Sequence, residues 1–130
     1  MELQAALLCE AASTRDGLLF VLGGGIDHWA SPAYPVGLRL TLGVVVEASD
    51  RDQGSEHALA VDILDQEAER IGGITAAFHF ERATGPRPTT KLAFAVPLDT
   101  VVIPEHGDYE VRLIIDGDTF AATALRAMAI

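Results

Sequence analysis

Leu38-Arg39-Leu40-Thr41-Leu42-Gly43-Val44-Val45-Val46-Glu47 repeats with a period of two. Leu38, Leu40, Leu42, Val44 and Val46 fall on one side of an extended chain, and Arg39, Thr41, Gly43, Val45 and Glu47 fall on the other. Successive side chains of a strand point to opposite faces, so this stretch reads as a half-buried β-strand and not as a helix. The alternation recurs with Leu59, Val61 and Ile63, with Leu92, Phe94, Val96 and Leu98, and with Tyr109, Val111, Leu113 and Ile115. Each set offers one apolar face to a core.

Between these runs the chain carries turn chemistry. Arg15-Asp16-Gly17 separates Leu3–Glu10 from Leu18–Leu22 and predicts a hairpin, because Asp-Gly supports the positive φ angles of a tight turn. Asp65-Gln66-Glu67 and Asp116-Gly117-Asp118 make two further breaks. Ser49–Glu56 and Glu81–Thr89 read as solvated loops, the latter with Pro86 and Pro88. Gly72-Gly73 predicts a bulge or sharp bend. The alanine-rich Ala121–Ile130 admits a helical reading, against which stand Thr119, Thr123 and the lack of a C-terminal cap. The expectation is an all-β chain: one antiparallel β-sandwich of seven to nine strands, Greek-key and Ig-like or C2-like, filling residues 1–130 as a single domain.

Composition narrows the function classes. The 130 residues carry nine basic and nineteen acidic side chains, a formal net charge of −10, and Lys91 is the one lysine. Nucleic acid and anionic membrane surfaces both demand clustered cations, so direct binding to either is not expected. Cys9 is the single cysteine, which excludes an intrachain disulfide, and its apolar setting predicts a buried, inert thiol. Ala5–Leu8 is too short for a signal-peptide core, and no apolar run has the length of a membrane helix. A cytoplasmic location is expected.

Two segments stand out. His106-Gly107-Asp108-Tyr109 places a glycine two residues before a strand-opening tyrosine. This is the pattern of a tyrosine corner, whose hydroxyl bonds back to the chain upstream, here toward Pro104 or Glu105. Gly107 and Tyr109 are therefore structural candidates. Gly23–Pro35 holds the only tryptophan, Trp29, together with Tyr34, His28 and two prolines. It lacks the lysine of a phosphate loop, and no nucleophile elbow is present. Asp27 and His28 are sequence neighbours whose side chains would diverge on an extended segment, which disfavours a catalytic dyad. The segment reads as a crossover presenting Trp29 and Tyr34 to the core or to a partner.

His28, His57, His79 and His106 show no zinc-ligand spacing. Calcium is the other cation that the sequence could hold. Asp50, Asp52, Asp116 and Asp118 lie on two acidic turns, and calcium binds where several oxygens converge. Such a site requires the two turns to meet at one end of the fold. No cofactor is expected.

The head of the chain, with its short strand, Asp16-Gly17 turn, second strand, Gly23-Gly24-Gly25 and Trp- and Pro-bearing loop, resembles a family of small uncharacterised bacterial proteins of unknown function. The tail, Pro104…Gly107-x-Tyr109…Asp116-Gly117, is similar to the same family. The resemblance implies one β-sandwich domain and adds no catalytic residue.

The function expected is a non-catalytic protein–protein interaction module, as a homo-oligomer or an accessory subunit of a larger assembly. The mean hydropathy is +0.26, and outward Val45 and Ile114 call for cover from another chain or from the chain's own segments. The alternatives are a calcium- or small-ligand-binding module, a shell- or capsid-like subunit, and a small enzyme using Asp27 and His28.

Overall fold

The computed structural model describes residues 1–81 and 90–130. Eleven strands are present among them: β1 Glu2–Arg15, β2 Leu18–Gly24, β3 His28–Ser31, β4 Val36–Gly37, β5 Thr41–Ala48, β6 Glu56–Leu64, β7 Arg70–His79, β8 Thr90–Pro97, β9 Val102–Ile103, β10 Gly107–Ile115 and β11 Asp118–Ala129. Three of these are short pieces; among the other eight, β5, β6, β8 and β10 carry the alternating runs of the sequence. The all-β class follows from that alternation. The loop expected over Glu81–Thr89 lies, beyond Glu81, outside the described residues.

The strands form a four-stranded sheet ordered β2-β1-β5-β8, a five-stranded sheet ordered β3-β11-β10-β6-β7, and the small pair β4-β9. The two large sheets are curled into half-barrels. All ladders are antiparallel except β3 with β11, which run parallel from Arg126 opposite His28 to Ala129 opposite Ser31. The alanine-rich tail is thus strand, since Tyr109–Ile115 gives it a full-length partner and ladder pairing outweighs alanine's helix propensity.

One core joins the sheets. Leu8, Leu42, Val44 and Val46 enter it from the first, and Val61, Ile63, Val111, Leu113, Ile115 and Leu125 from the second. Leu38, Leu40, Leu98, Val101 and Ile103 close it from the connecting segments. The face of β5 that alternation assigned to the core is the buried one.

Strand β1 serves two neighbours in succession. Glu2–Cys9 pairs with β5, and Cys9–Arg15 pairs with β2, so Cys9 is bridged on both sides, to Thr41 and to Gly24. The sheet curls enough to bring β2 over β5 and β8. A Cβ on Gly43 would lie 3.1 Å from the Leu19 side chain, so the bare backbone of β5 is what admits Leu19. The hairpin turn has positive φ at both central residues, 52° at Asp16 and 74° at Gly17, the geometry that Asp-Gly supplies in a two-residue hairpin.

The double glycine lies within a continuous strand. Ile63 faces Gly72 and Leu64 faces Arg70, so Ile71 is the extra residue of a bulge. The glycine beyond it, Gly73, sits where a side chain would meet the Val61 carbonyl oxygen.

The Tyr109 hydroxyl donates to the Glu105 carbonyl oxygen at 2.6 Å. Gly107, at φ 153°, opens the strand just before it. Tyr109→Phe removes one buried hydrogen bond and leaves the Glu105 carbonyl with one partner fewer. A loss of about 1 kcal/mol is expected in chemical denaturation; an unchanged midpoint would show that the bond carries no stability.

Candidate functional site

Three places on the molecule gather chemistry or exposed apolar surface. The first is where the two acidic turns do meet. His57, buried on β6, directs Nδ1 to Asp116 Oδ2 at 2.6 Å and Nε2 to the Asp52 carbonyl oxygen at 2.8 Å. Both partners are acceptors, so the imidazolium form, in which both ring nitrogens donate, is the one that satisfies both contacts. Burial by itself would lower the His57 pKa. The Asp116 carboxylate and the Asp52 carbonyl outweigh that and raise it. Phe78 stacks on the ring, with centroids 5.4 Å apart, and Phe80 meets it edge-on.

The carboxylates of this cluster are already engaged. Asp116 is held below its ordinary range, first by the His57 hydrogen bond and then by the Ala58 N–H. Asp52 receives the Met1 amino group at 2.9 Å and the Ser49 N–H and hydroxyl at 3.0 and 3.1 Å. Burial would raise its pKa, but these donors bring it below the ordinary value. Asp50 and Asp118 stay exposed. Protein cations therefore occupy the position that the calcium reading gave to a metal. No group of three or more His, Cys, Asp or Glu side chains suited to a metal occurs among the described residues.

The second place is a cleft of about 480 Å³ beside the parallel β3–β11 junction. Asp27, His28, Tyr109, Leu125, Arg126 and Met128 contribute to its walls. The expectation that Asp27 and His28 diverge is corrected here, since Asp27 Oδ1 lies 2.6 Å from His28 Nδ1. Asp27 lies just before β3, outside the strand whose alternation the expectation assumed. Both side chains are largely exposed. Arg126 is paired to Asp108 at 2.9 Å. Among the described residues the cleft wall carries one hydroxyl, on Tyr109, and it donates to the Glu105 carbonyl oxygen.

Trp29 and Tyr34 are half-buried and pack against the core. Their rings meet edge-to-face at 6.3 Å, and the Tyr34 hydroxyl donates to the Met128 carbonyl at 2.6 Å. The Gly23–Pro35 segment is thereby tied to β11. Val45 and Ile114 are half-buried. Val45 lies between Ala5 and Ala93 on the face that also carries Gly43, the face β2 overhangs. Cys9 is fully buried, and burial raises its thiol pKa, which keeps it protonated and inert.

The third place is the outer face of the β1–β2 hairpin, which sequence reasoning passed over. Leu18 is 61% exposed, Phe20 51%, Val21 40% and Leu22 67%. Phe20, Val21 and Leu22 also line a shallow groove with Ala11, Ala12 and Ser13. The signal was present in the sequence: Leu18–Leu22 is apolar at every position, so one face of it must point away from any single core. Among the described residues β2 is a sheet edge, hydrogen-bonded in its ladder to β1 alone.

A protein-family model described as a family of unknown function, DUF6941, matches residues 4–128, and the chain belongs to that family. No curated protein matches the chain.

Proposed function

We propose that the protein is a non-catalytic protein–protein interaction module that binds through the outer face of the β1–β2 hairpin, as a homo-oligomer or as an accessory subunit of a larger assembly. The observation that carries this reading is the exposed row Leu18, Phe20 and Leu22 on an edge strand. Soluble monomers seldom leave several large apolar side chains contiguous at the surface. The body behind this surface is read as a Greek-key sandwich of the Ig-like or C2-like kind, with its two half-barrels facing across one core.

Joint replacement of Phe20 and Leu22 by glutamate tests the reading. Both side chains are exposed, so the thermal midpoint is expected to stay within about 3 °C of the parent. Association, with a copy or with another protein, is expected to fall at least tenfold in sedimentation or affinity capture. Undiminished association by a folded double variant would remove the hairpin as the binding surface.

A further inference from the structure

We infer that His57 is a proton-operated latch: its imidazolium clamps the 49–55 loop to the β10–β11 turn, and deprotonation lets the loop open at Asp52 while the turn stays bound. Three segments converge on the one ring. Strand β6 carries it, the loop offers the Asp52 carbonyl oxygen to Nε2 at 2.8 Å, and the turn offers Asp116 Oδ2 to Nδ1 at 2.6 Å. The ring has little freedom to turn away, being buried, stacked on Phe78 and met edge-on by Phe80. Among the described residues, Asp116 and Asp52 are the charges that act on it, and the Asp52 carboxylate in turn holds the Met1 amino group. Phe78 and Phe80 bring no charge. Glu56 and His79, paired across β6 and β7 next to His57 and Phe78, lie on the opposite face of the sheet.

A neutral imidazole has a single N–H, so it keeps one contact and turns a lone pair on the other acceptor. The carboxylate retains the hydrogen, because a bond to an ionised acceptor is about twice as strong as one to a neutral carbonyl. Nε2 is then left facing the Asp52 carbonyl oxygen with lone pair against lone pair.

The loop is the side that gives way. The turn keeps two bonds to β6 that bypass the ring, from the Asp116 N–H to the Ala58 carbonyl oxygen and from the Ala58 N–H to Asp116 Oδ1, both 2.9 Å. In the loop, Ser49 and Ser55 bond Asp52 internally. Its ties to the body besides the ring include the Gly54 N–H on the Phe80 carbonyl oxygen at 3.1 Å, the Gln53–Phe80 bridge and the Met1 amino group. These keep the loop close, so the change is a local opening and not an unfolding.

The direction follows from the ring's surroundings. Burial pulls the His57 pKa down, and the Asp116 and Asp52 contacts more than reverse it. Closure is complete below the ordinary imidazole value and is lost as pH rises through the raised one. Asp50 and Arg51 travel with the loop, so the proton sets how this charged end of the molecule is presented.

Amide exchange of the full chain, followed by NMR from about pH 5 to 9, tests this. Each rate is divided by that of an unstructured chain at the same pH, which removes base catalysis. Protection of the Asp52 and Gly54 amides is expected to fall at least about tenfold across the His57 titration, while that of the Asp116 amide holds. The nitrogen-15 shifts of neutral His57 are expected to place its hydrogen on Nδ1. His57→Gln should leave loop protection independent of pH. Asp116→Asn keeps the ring and removes the charge, so opening should move to lower pH by about one unit. A loop indifferent to pH overturns the inference, and so does protection lost at Asp116 together with the loop. A hydrogen found on Nε2 does the same. A transition that survives His57→Gln, as release through the Met1 amino group would, or one that Asp116→Asn leaves at the parent's pH, assigns the opening to another group and overturns it too.

Discussion

Gly73→Ala is expected to lower stability by about 3 kcal/mol, which for a chain of this length moves the thermal midpoint by about 10 °C. A Cβ at this position would lie 2.5 Å from the Val61 carbonyl oxygen, 2.7 Å from an Arg70 guanidinium nitrogen and 3.0 Å from Asp62 Oδ1. The first of these is backbone of the neighbouring strand, at a point where β6 and β7 are hydrogen-bonded on both sides. It cannot swing aside as a side chain does, so the β6–β7 ladder must part locally. The Arg70–Asp62 ion pair, at 2.9 Å, would be wedged open too, although a surface pair of this kind adds little. Gly24→Ala is the informative control. The atoms in its way are the ends of the Leu7 and Val21 side chains, which rotate, so its cost is expected to be smaller. Equal midpoints for Gly73→Ala and the parent would mean that the two strands are free to separate there.

His57→Ala is expected to cost a comparable amount, about 3 kcal/mol, through a cavity beside Phe78 and Phe80 and two abandoned acceptors. Asp116→Asn is expected to cost about 1 kcal/mol, because Asp116 is 48% exposed and water takes over its solvation. The pair also sets a pH profile. The folded-state pKa of His57 is raised, so its contribution is complete below the ordinary imidazole value and is lost as pH climbs through the raised one. Those of Asp116 and Asp52 are lowered, so their contributions are complete above the ordinary carboxylate value and are lost as pH falls through the lowered ones. Stability is therefore expected to peak between about pH 4 and 6.5 and to decline on the alkaline side. Denaturation midpoints across pH check this. His57→Gln should flatten the alkaline limb while leaving the acid limb; an alkaline limb that survives the substitution would assign it to another group.

The reach of sequence reasoning is clear at particular residues. Alternation placed Leu42, Val44 and Val46 on the buried face of β5, and Val111, Leu113 and Ile115 on that of β10, because side-chain direction is a local property of an extended chain. The turns at Asp16-Gly17 and Asp116-Gly117 were equally legible, and all four residues have positive φ. Which strands become neighbours is not local. Nothing in Glu2–Arg15 announces that its first half joins β5 and its second half β2. The union of His57 with Asp116 spans 59 positions and depends on loops that only the folded sheets bring together. Asp27 and His28 were misjudged because strand geometry was extended one residue beyond the strand. The exposed face of β2 was missed because an unbroken apolar run looks the same whether its second face is covered or bare.

The divided pairing of β1 also has a temporal side. Its second half closes on β2 across a two-residue turn, an event of about 1–10 μs in isolated hairpins. Its first half waits for β5, whose nearest partner lies beyond the whole hairpin and the Gly23–Pro35 crossover, so it must first absorb the entropy of closing that long loop. One strand thus combines contacts that loop closure delays little with contacts that it delays more, and Cys9 stands at the boundary between them.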